Sequence, residues 1–508
     1  MNSGRTKKSI INIMAGTGYQ IFSIVMNFIS RTIFIHTLGS GYLGLNSLFY
    51  NILTVLSLAE LGIGTAMIYC MYEPLAKKNK EKLAALTQYF KVLYRKIACI
   101  VFVLGIAVIP FLKYIVNLQN DISHLTLYYT LFLMDTVVSY LCMYKTSVLT
   151  ADQKSYILQI FKMLFDTLRL VVQIIILIVA KNYLLYLIVQ IFCSVFYNLI
   201  SAFYVGKKYP YINNKAEKIS EIEKESIWSN IKSMFSYKVG GVILNNTDQL
   251  LISILVSTEY VGLYSNYYLP IKSVMGVTSA VFIAVQASIG NLAVEKDSKR
   301  QYEIFNLLDM VSFWLYGIFT VGFCIMLQDF ISLWIGDSYL LSNYLVYIIS
   351  ITYYLTGVLY PIWCYRETVG LFQYTKNIMF YASAINLILS VIFGKLWGME
   401  GILLATIVAR ILTNIWFEPY KLFSIYFNKS VYKYYKEKIQ QSIILVLLVI
   451  VIQRISYFIN IKNLFIHFMV KGIMCVVITN IVIYIYLRNK PEAKDLFNII
   501  RCLLKRFC

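Results

Sequence analysis

GYLGLNSLFY, residues 41–50, has an echo in EYVGLYSNYY, residues 259–268. Tyr42, Gly44, Leu45 and Ser47 return at a constant offset of 218 as Tyr260, Gly262, Leu263 and Ser265. The first copy opens the second long apolar stretch of the chain and the second copy opens the eighth, so the offset separates units of six. If those stretches cross a membrane, an even number keeps both units in one orientation. Repeats of that kind are related by an axis along the membrane normal, with substrate handled between the halves.

Composition points to the membrane. Of 508 residues 59% are apolar and 14% charged, against about 25% charged in a soluble domain. Such a surface cannot face water all round. An all-α polytopic membrane protein is expected, because backbone exposed to lipid must satisfy its hydrogen bonds within its own segment. A crossing takes about 20 mainly apolar residues. That rule gives about fourteen spans, near 10–37, 43–72, 97–117, 125–150, 156–180, 183–205, 233–257, 260–290, 304–328, 339–365, 377–396, 400–420, 439–459 and 463–487. The first is too long for a signal-peptide core and has no small-residue cleavage site behind it, so a retained span is expected.

Basic residues orient the spans. With the N-terminus inside, only Lys113, Lys181, Lys395, Arg454 and Lys462 fall on the outer side. Arg31, Lys145, Lys162, Arg169, Lys238, Lys272, Arg410 and Lys471 fall within spans, and all other lysines and arginines lie inside. This is the positive-inside pattern. The net charge of +21 is then mostly an orientation signal and an attraction to anionic lipid head groups, in runs such as Lys77, Lys78, Lys80 and Lys82 and the tail Arg501, Lys505, Arg506. A nucleic-acid partner is not expected. The outer connections are short, and the charged inner segment 206–232 is too small for a folded domain. The expected organisation is an N-lobe, 1–205, holding spans one to six, a cytoplasmic linker, 206–232, and a C-lobe, 233–424, holding spans seven to twelve. Residues 425–508 add spans thirteen and fourteen and a basic tail.

Polar positions repeat along with the motif. In the first span Gln20, Ser23, Asn27 and Arg31 share one narrow helical face. Shifted by 218, those positions become Lys238, Gly241, Asn245 and Gln249 in the seventh span, with Asp248 beside them. A helix facing only lipid would not carry such a seam, because an ionisable group at the bilayer centre costs at least about 2.5–3.5 kcal/mol unless paired or wet. Lys162, Asp166, Arg169 and Gln173 form a second seam in the fifth span. An ion-pair ladder that merely locks helices together would explain it, but would leave one positive charge over, and an unpaired buried charge is expensive. Lys145, Lys272 and Arg410 are further basic groups within spans, against the acidic Glu60 and Asp135. Lys145 and Lys272 are long enough to snorkel. Arg410, near the middle of its span, is expected to face a cavity.

Other residue types say less. Nine cysteines and three histidines show no paired spacing for a disulfide, metal or cofactor, and none is expected. Pro110, Pro270 and Pro361 fall inside spans, where each removes a backbone hydrogen bond and favours a kink.

Arg31-Thr-Ile-Phe-Ile, Leu38-Gly39, Tyr42-Leu-Gly44-Leu45 and Leu58-Ala-Glu60-Leu-Gly62-Ile-Gly64 resemble the start of the Wzx-type polysaccharide-repeat-unit flippases of bacteria. These form a branch of the multidrug/oligosaccharidyl-lipid/polysaccharide (MOP) exporter superfamily. Asn245-Asn246-Thr247-Asp248-Gln249 followed by Tyr260-Val-Gly262-Leu263-Tyr264-Ser265 resembles the opening of that family's second lobe. The resemblance implies two six-helix lobes around a central cavity that opens to either side in turn, in the bacterial cell membrane with both termini cytoplasmic. It implies an undecaprenyl-pyrophosphate-linked oligosaccharide as cargo, bound for capsule, O-antigen or exopolysaccharide. It brings polysaccharide polymerase and chain-length proteins into view as partners. Arg31 corresponds to a cavity arginine of the related lipid II flippase, in which an added pair of helices forms a groove for the lipid tail. Twelve spans are commoner in the Wzx-type branch, so spans thirteen and fourteen depart from it.

On chemistry, arginine grips phosphate oxygens in pairs and lysine acts as a point charge. Arg31, Arg169, Lys238, Lys272 and Arg410 are therefore the expected head-group contacts, and Gln20, Asn27, Asn245 and Gln249 the sugar or water contacts. Glu60, Asp135, Asp166 and Asp248 are candidates for charge relay or ion coupling. Two other functions fit less well. A multidrug or cation antiporter of the same fold would favour acidic pockets. A membrane polysaccharide polymerase or ligase would need a large outer loop.

Overall fold

Long runs of Leu, Ile, Val and Phe without turn residues leave the backbone one way to pair its polar groups in lipid. The computed structural model describes residues 3–60, 62–118, 122–214, 219–295, 298–369, 371–375, 377–459 and 461–493, and among these helix dominates and no strand occurs. The helices are α1 (Ser3–Leu56), α2 (Ile63–Ala76), α3 (Lys80–Val108), α4 (Leu112–Ile115), α5 (Leu125–Ala151), α6 (Ser155–Val179), α7 (Tyr183–Lys208), α8 (Glu221–Leu255), α9 (Thr258–Glu295), α10 (Ser298–Ile335), α11 (Asn343–Thr368), α12 (Phe372–Thr375), α13 (Ile378–Leu412), α14 (Asn414–Lys421), α15 (Tyr432–Tyr457) and α16 (Leu464–Leu487). Nine helical segments among the described residues are long and apolar enough to cross a membrane. The basic tail Arg501, Lys505, Arg506 lies outside the described residues.

Two of the segments that far exceed a single crossing hold an internal break. Gly18–Leu56 has 39 residues and Ile378–Phe427 has 50, against the roughly 20 that a bilayer takes. Each is broken at a glycine with positive φ, Gly39 (φ 83) and Gly398 (φ 60). At Gly398 the chain folds back on itself. Asn386 donates to Thr406 Oγ1 (2.8 Å) across the turn, and a β-carbon on Gly401 would overlap the carbonyl oxygen of Phe393. The apolar runs expected as separate spans thus join through single glycines instead of loops. Glycine alone adopts these angles without strain.

The chain divides into two compact units, Met1–Gly262 and Leu263–Cys508. In the first, α5 packs against α3 and α7, α6 against α7, and α1 runs along α6 and α8. Phe49 meets Tyr129 and Phe132 edge to face, and Gly105 lets α3 approach until a β-carbon there would strike Leu133. The segment 206–232 is largely helical, formed by the end of α7, a 3-10 turn at Pro210–Asn213 and the start of α8.

In the second unit α10 is central, with α11 on one side and α15 and α16 on another. Gly357 of α11 carries the ring of Tyr316, with no room for a β-carbon. The last two helices are bound by charge as well as by apolar packing. Lys438 of α15 pairs with Asp309 of α10 at 2.7 Å, and Lys471 of α16 with Asp329 at 2.7 Å. Trp314 Nε1 donates to Asn480 at 2.9 Å between them. Removing one member of a buried pair strands the other, at a cost of about 3–5 kcal/mol, whereas replacing both with apolar side chains is often neutral. Lys438→Met should accordingly lower the thermal midpoint of the detergent-solubilised protein sharply, and adding Asp309→Leu should restore most of the loss.

Candidate functional site

On α1, Gln20 and Asn27 are exposed while Ser23 and Arg31 are half-buried. Asn27 Nδ2 donates to Ser23 Oγ at 3.2 Å, within the face expected from their spacing. Where α1 lies against α6, Tyr19 donates to Asp166 Oδ2 at 2.7 Å. The same carboxylate takes Lys162 at 3.3 Å and Arg169 at 3.2 Å. The ion-pair ladder is therefore real. One carboxylate serves two cations and a phenol, so the cluster keeps a surplus positive charge. Its burial is uneven: 12% of the Asp166 side chain is exposed, against 37% for Lys162 and 29% for Arg169. Gln173, one turn further on, is buried and donates to the carbonyl of Tyr186 on α7, so it ties helices together.

A second cluster forms where a continuous span was expected over 43–72. After Leu56 the chain makes a 3-10 turn, Ser57–Glu60, and restarts as α2 with Gly62 (φ 93) as a left-handed N-cap. No side chain caps that end. Glu60, in the break, hydrogen-bonds Tyr140 of α5 and lies within electrostatic reach of Lys238 of α8. Lys238 Nζ is 3.5 Å from Thr65 Oγ1 of α2. Sequence reading assigns Glu60 and Lys238 to separate roles, and the break places one within electrostatic reach of the other. The hydroxyl of Tyr94, fully buried, would be 3.1 Å from a β-carbon on Gly64.

The remaining polar positions of α8 are mixed. Asp248 is buried, and Asn245 is exposed with its amide turned back to the Gly241 carbonyl. Gln249 accepts from Asn51 of α1 at 2.6 Å, which joins the two helices that carry the repeated seam. Asp135 of α5 is half-buried and accepts from Gln190 of α7 at 3.3 Å.

In the second unit Lys272 is exposed on α9. Arg410 is buried and donates to Thr356 of α11 at 2.8 Å. It sits at the C-terminal end of α13, because the helix breaks at Thr413 (φ −126, ψ −86), where the expected span continued to 420. A cation there is favoured by the free carbonyls of a helix end. Just beyond, Arg366 and Glu418 form a pair at 2.7 Å with side chains 4% and 0% exposed. Asn414 adds a hydrogen bond to Glu418 at 2.6 Å. Sequence reading passed over this pair, although Glu418 is an acidic residue inside an apolar run, which is itself a signal of a buried partner.

Two regions therefore bring basic groups and polar partners together within the first unit: Arg169 and Lys162 around Asp166, and Lys238 beside Glu60. An apolar feature belongs to the second unit. Pro270, Phe319, Phe323, Met326, Phe468 and Val476 are among the residues lining a recess of about 280 Å³ contributed by α9, α10 and α16.

No protein-family model matches the sequence, and no curated protein matches it either. Solved structures do. The lipid II flippase MurJ in an inward closed conformation is 15% identical, with a TM-score of 0.63 over 94% of this chain and 99% of that one. An inward-facing multidrug resistance MATE family transporter of the MOP superfamily is 13% identical, with a TM-score of 0.58 over 76% of this chain and 92% of that one. A point mutant of the Vibrio cholerae MATE transporter VcmN is 13% identical, with a TM-score of 0.56 over 80% and 95%. At these identities the likeness is one of architecture: this chain has the polytopic all-α fold seen in the lipid II flippase and in the MATE transporters.

Proposed function

We propose that this protein is a flippase that moves undecaprenyl-pyrophosphate-linked oligosaccharide repeat units across the bacterial cell membrane, from the cytoplasmic to the outer leaflet, for capsule, O-antigen or exopolysaccharide. Both termini are cytoplasmic on this reading. On this reading transport runs by alternating access through a cationic cavity. Polysaccharide polymerase and chain-length proteins would act on the delivered cargo.

One observation carries the reading. Arg31, Lys162, Arg169 and Lys238 keep partial exposure in mainly apolar helices, while Asp166, the carboxylate between two of them, is buried behind. A pyrophosphate head cannot cross hydrocarbon unaided, since each polar group stripped of water without a partner costs about 2–7 kcal/mol and a bare charge far more. Wet guanidinium and ammonium groups remove that barrier. Arg31, Arg169, Lys238 and Lys272 are the proposed head-group contacts, Arg410 joins them only by leaving Thr356, and Gln20, Asn27, Asn245 and Gln249 are the proposed sugar or water contacts. Glu60 beside Lys238 is well placed to modulate that lysine, and Asp135, Asp166 and Asp248 complete the acidic set. The apolar recess of α9, α10 and α16 supports a lipid-borne cargo, because its lining suits a polyprenyl chain held at the edge of the bilayer.

A multidrug or cation antiporter is the second reading, favoured by the MATE likeness and by Glu60 at a helix break. The cations clustered around Asp166 speak against it, because a cationic cargo would be repelled there. A polymerase or ligase finds less support in the short connections between helices.

The cargo assignment is tested by export. Arg31→Ala and Lys238→Ala should each cut surface polysaccharide in cells by about 10-fold or more, the loss of one charge-assisted contact worth about 1.5–3 kcal/mol. Protein amounts should hold, and Arg31→Lys should recover part of the activity. Parental export from both alanine variants would defeat the cationic-cavity assignment. The tail assignment has its own test. A β-carbon on Gly322 meets nothing within 4 Å, so Gly322→Leu should narrow the recess without loss of thermal stability. Export of a full-length polyprenyl cargo should then fall, while a cargo on a much shorter chain should be spared. Equal export of both would remove the tail from this recess.

A further inference from the structure

The repeated motif has a physical meaning that its tyrosines do not explain. Tyr42 packs against Tyr128 and Tyr183, whereas its counterpart Tyr260 is exposed. The glycines do the same thing in both copies. A β-carbon on Gly44 would overlap the carbonyl oxygen of Thr258, and a β-carbon on Gly262 would overlap the carbonyl oxygen of Ser40. Shifting Ser40 and Gly44 by 218 gives Thr258 and Gly262, so the contact is reciprocal. The start of one copy lies against the glycine of the other. At Gly262 the added carbon would also stand 2.9 Å from Gly44 N and 3.3 Å from Gly44 Cα. Small residues four apart on each of two crossing helices are what lets backbones approach to Cα–H···O distance.

A polar seam lies along one side of this crossing. Thr258 N donates to the Asn117 carbonyl at 2.8 Å, and Asn117 N donates to Thr258 Oγ1 at 2.9 Å. Asn117 Nδ2 reaches the Val256 carbonyl at 3.1 Å, and Ser253 donates to the Ile115 carbonyl at 2.7 Å. All of these residues belong to the first compact unit. The connection after α4 is thereby stitched to the α8–α9 turn, beside the point where α1 and α9 touch.

We infer that the crossing of Ser40–Gly44 with Thr258–Gly262 is the reversible outer seal of the transport path. It rests on the alternating-access reading above and on its orientation, not on the cargo. A seal of this build closes without interlocking large side chains. Two backbones meet flush, and opening exposes little apolar surface. The polar seam exchanges its hydrogen bonds for bonds to water on opening, at small net cost. The Tyr-x-Gly-Leu motif is said twice because the two copies close on each other.

The test reads accessibility. In a protein lacking its nine cysteines and carrying Ser47→Cys, one turn beyond Gly44, a membrane-impermeant maleimide is applied outside intact cells. In the parent the half-buried position should label slowly. Gly44→Val and Gly262→Val should each wedge the seal, and a shift from a minor to a major open population raises labelling about tenfold or more. Asn117→Ala, which inserts nothing, should raise it less, and Gly41→Ala, whose nearest neighbour is the Leu118 side chain at 3.6 Å, should leave it unchanged. Parental labelling in Asn117→Ala and in whichever valine variants reach the membrane at parental amounts would overturn the seal, as would an equal rise in Gly41→Ala. If both valine variants are lost, Asn117→Ala alone decides. Cargo plays no part in this readout, so a wrong cargo assignment and a wrong seal fail separately.

Discussion

A charge at the depth of lipid must find a counter-charge, a dipole or water, and this one constraint organises both units. Asp166 stands between Lys162 and Arg169 with Tyr19 as a third donor, and Arg366 meets Glu418 out of solvent. Asp309 and Asp329 hold Lys438 and Lys471. These pairs differ in kind. Those of the second unit leave no cation in excess, Arg366 meeting Glu367 at 3.2 Å as well as Glu418, and are mostly enclosed, as suits attachment. The cluster on α6 has two cations for one carboxylate and leaves the cations partly open, as suits an anion that comes and goes.

The second constraint is the backbone. A helix in lipid can stop only where something else satisfies its ends, and this chain stops at glycine or beside polar side chains. Gly39, Gly62 and Gly398 all take positive φ. The break at Gly62 puts Glu60 next to Lys238 and Tyr140, and the break at Thr413 puts Arg410 at a helix end beside Thr356. Two of the interruptions thus carry an ionisable residue to a neighbouring helix. Continuous helices could not have aimed those groups at one another.

Helical content, the long apolar segments and the polar face of α1 were legible in the sequence, because apolar run length and the 3.6-residue period are local properties. Register across helices was not. Glu60 and Lys238 are far apart in sequence, and nothing local says that a 3-10 turn will rotate one toward the other. Gln173 and Arg410 illustrate the opposite difficulty. Both are polar residues within apolar runs, yet each is buried against a neighbouring helix, Gln173 on a backbone carbonyl and Arg410 on a threonine. A polar residue on a helix can serve cargo or merely fasten a neighbour, and spacing alone does not separate the two. The Arg366–Glu418 pair escaped because its members fall near the expected ends of two spans, where charges attract no notice.

The three ties between α10 and the last two helices fall at Asp309, Trp314 and Asp329. Twenty residues separate the outermost two along α10, about 30 Å at the rise of an α-helix, so the fastening runs through the whole thickness of the bilayer. α16 is fastened at two levels of α10, Trp314 and Asp329, and α15 at one, Asp309. Held at two levels, α16 follows α10 as a passenger. The wall that α10 and α16 give the apolar recess is a single piece.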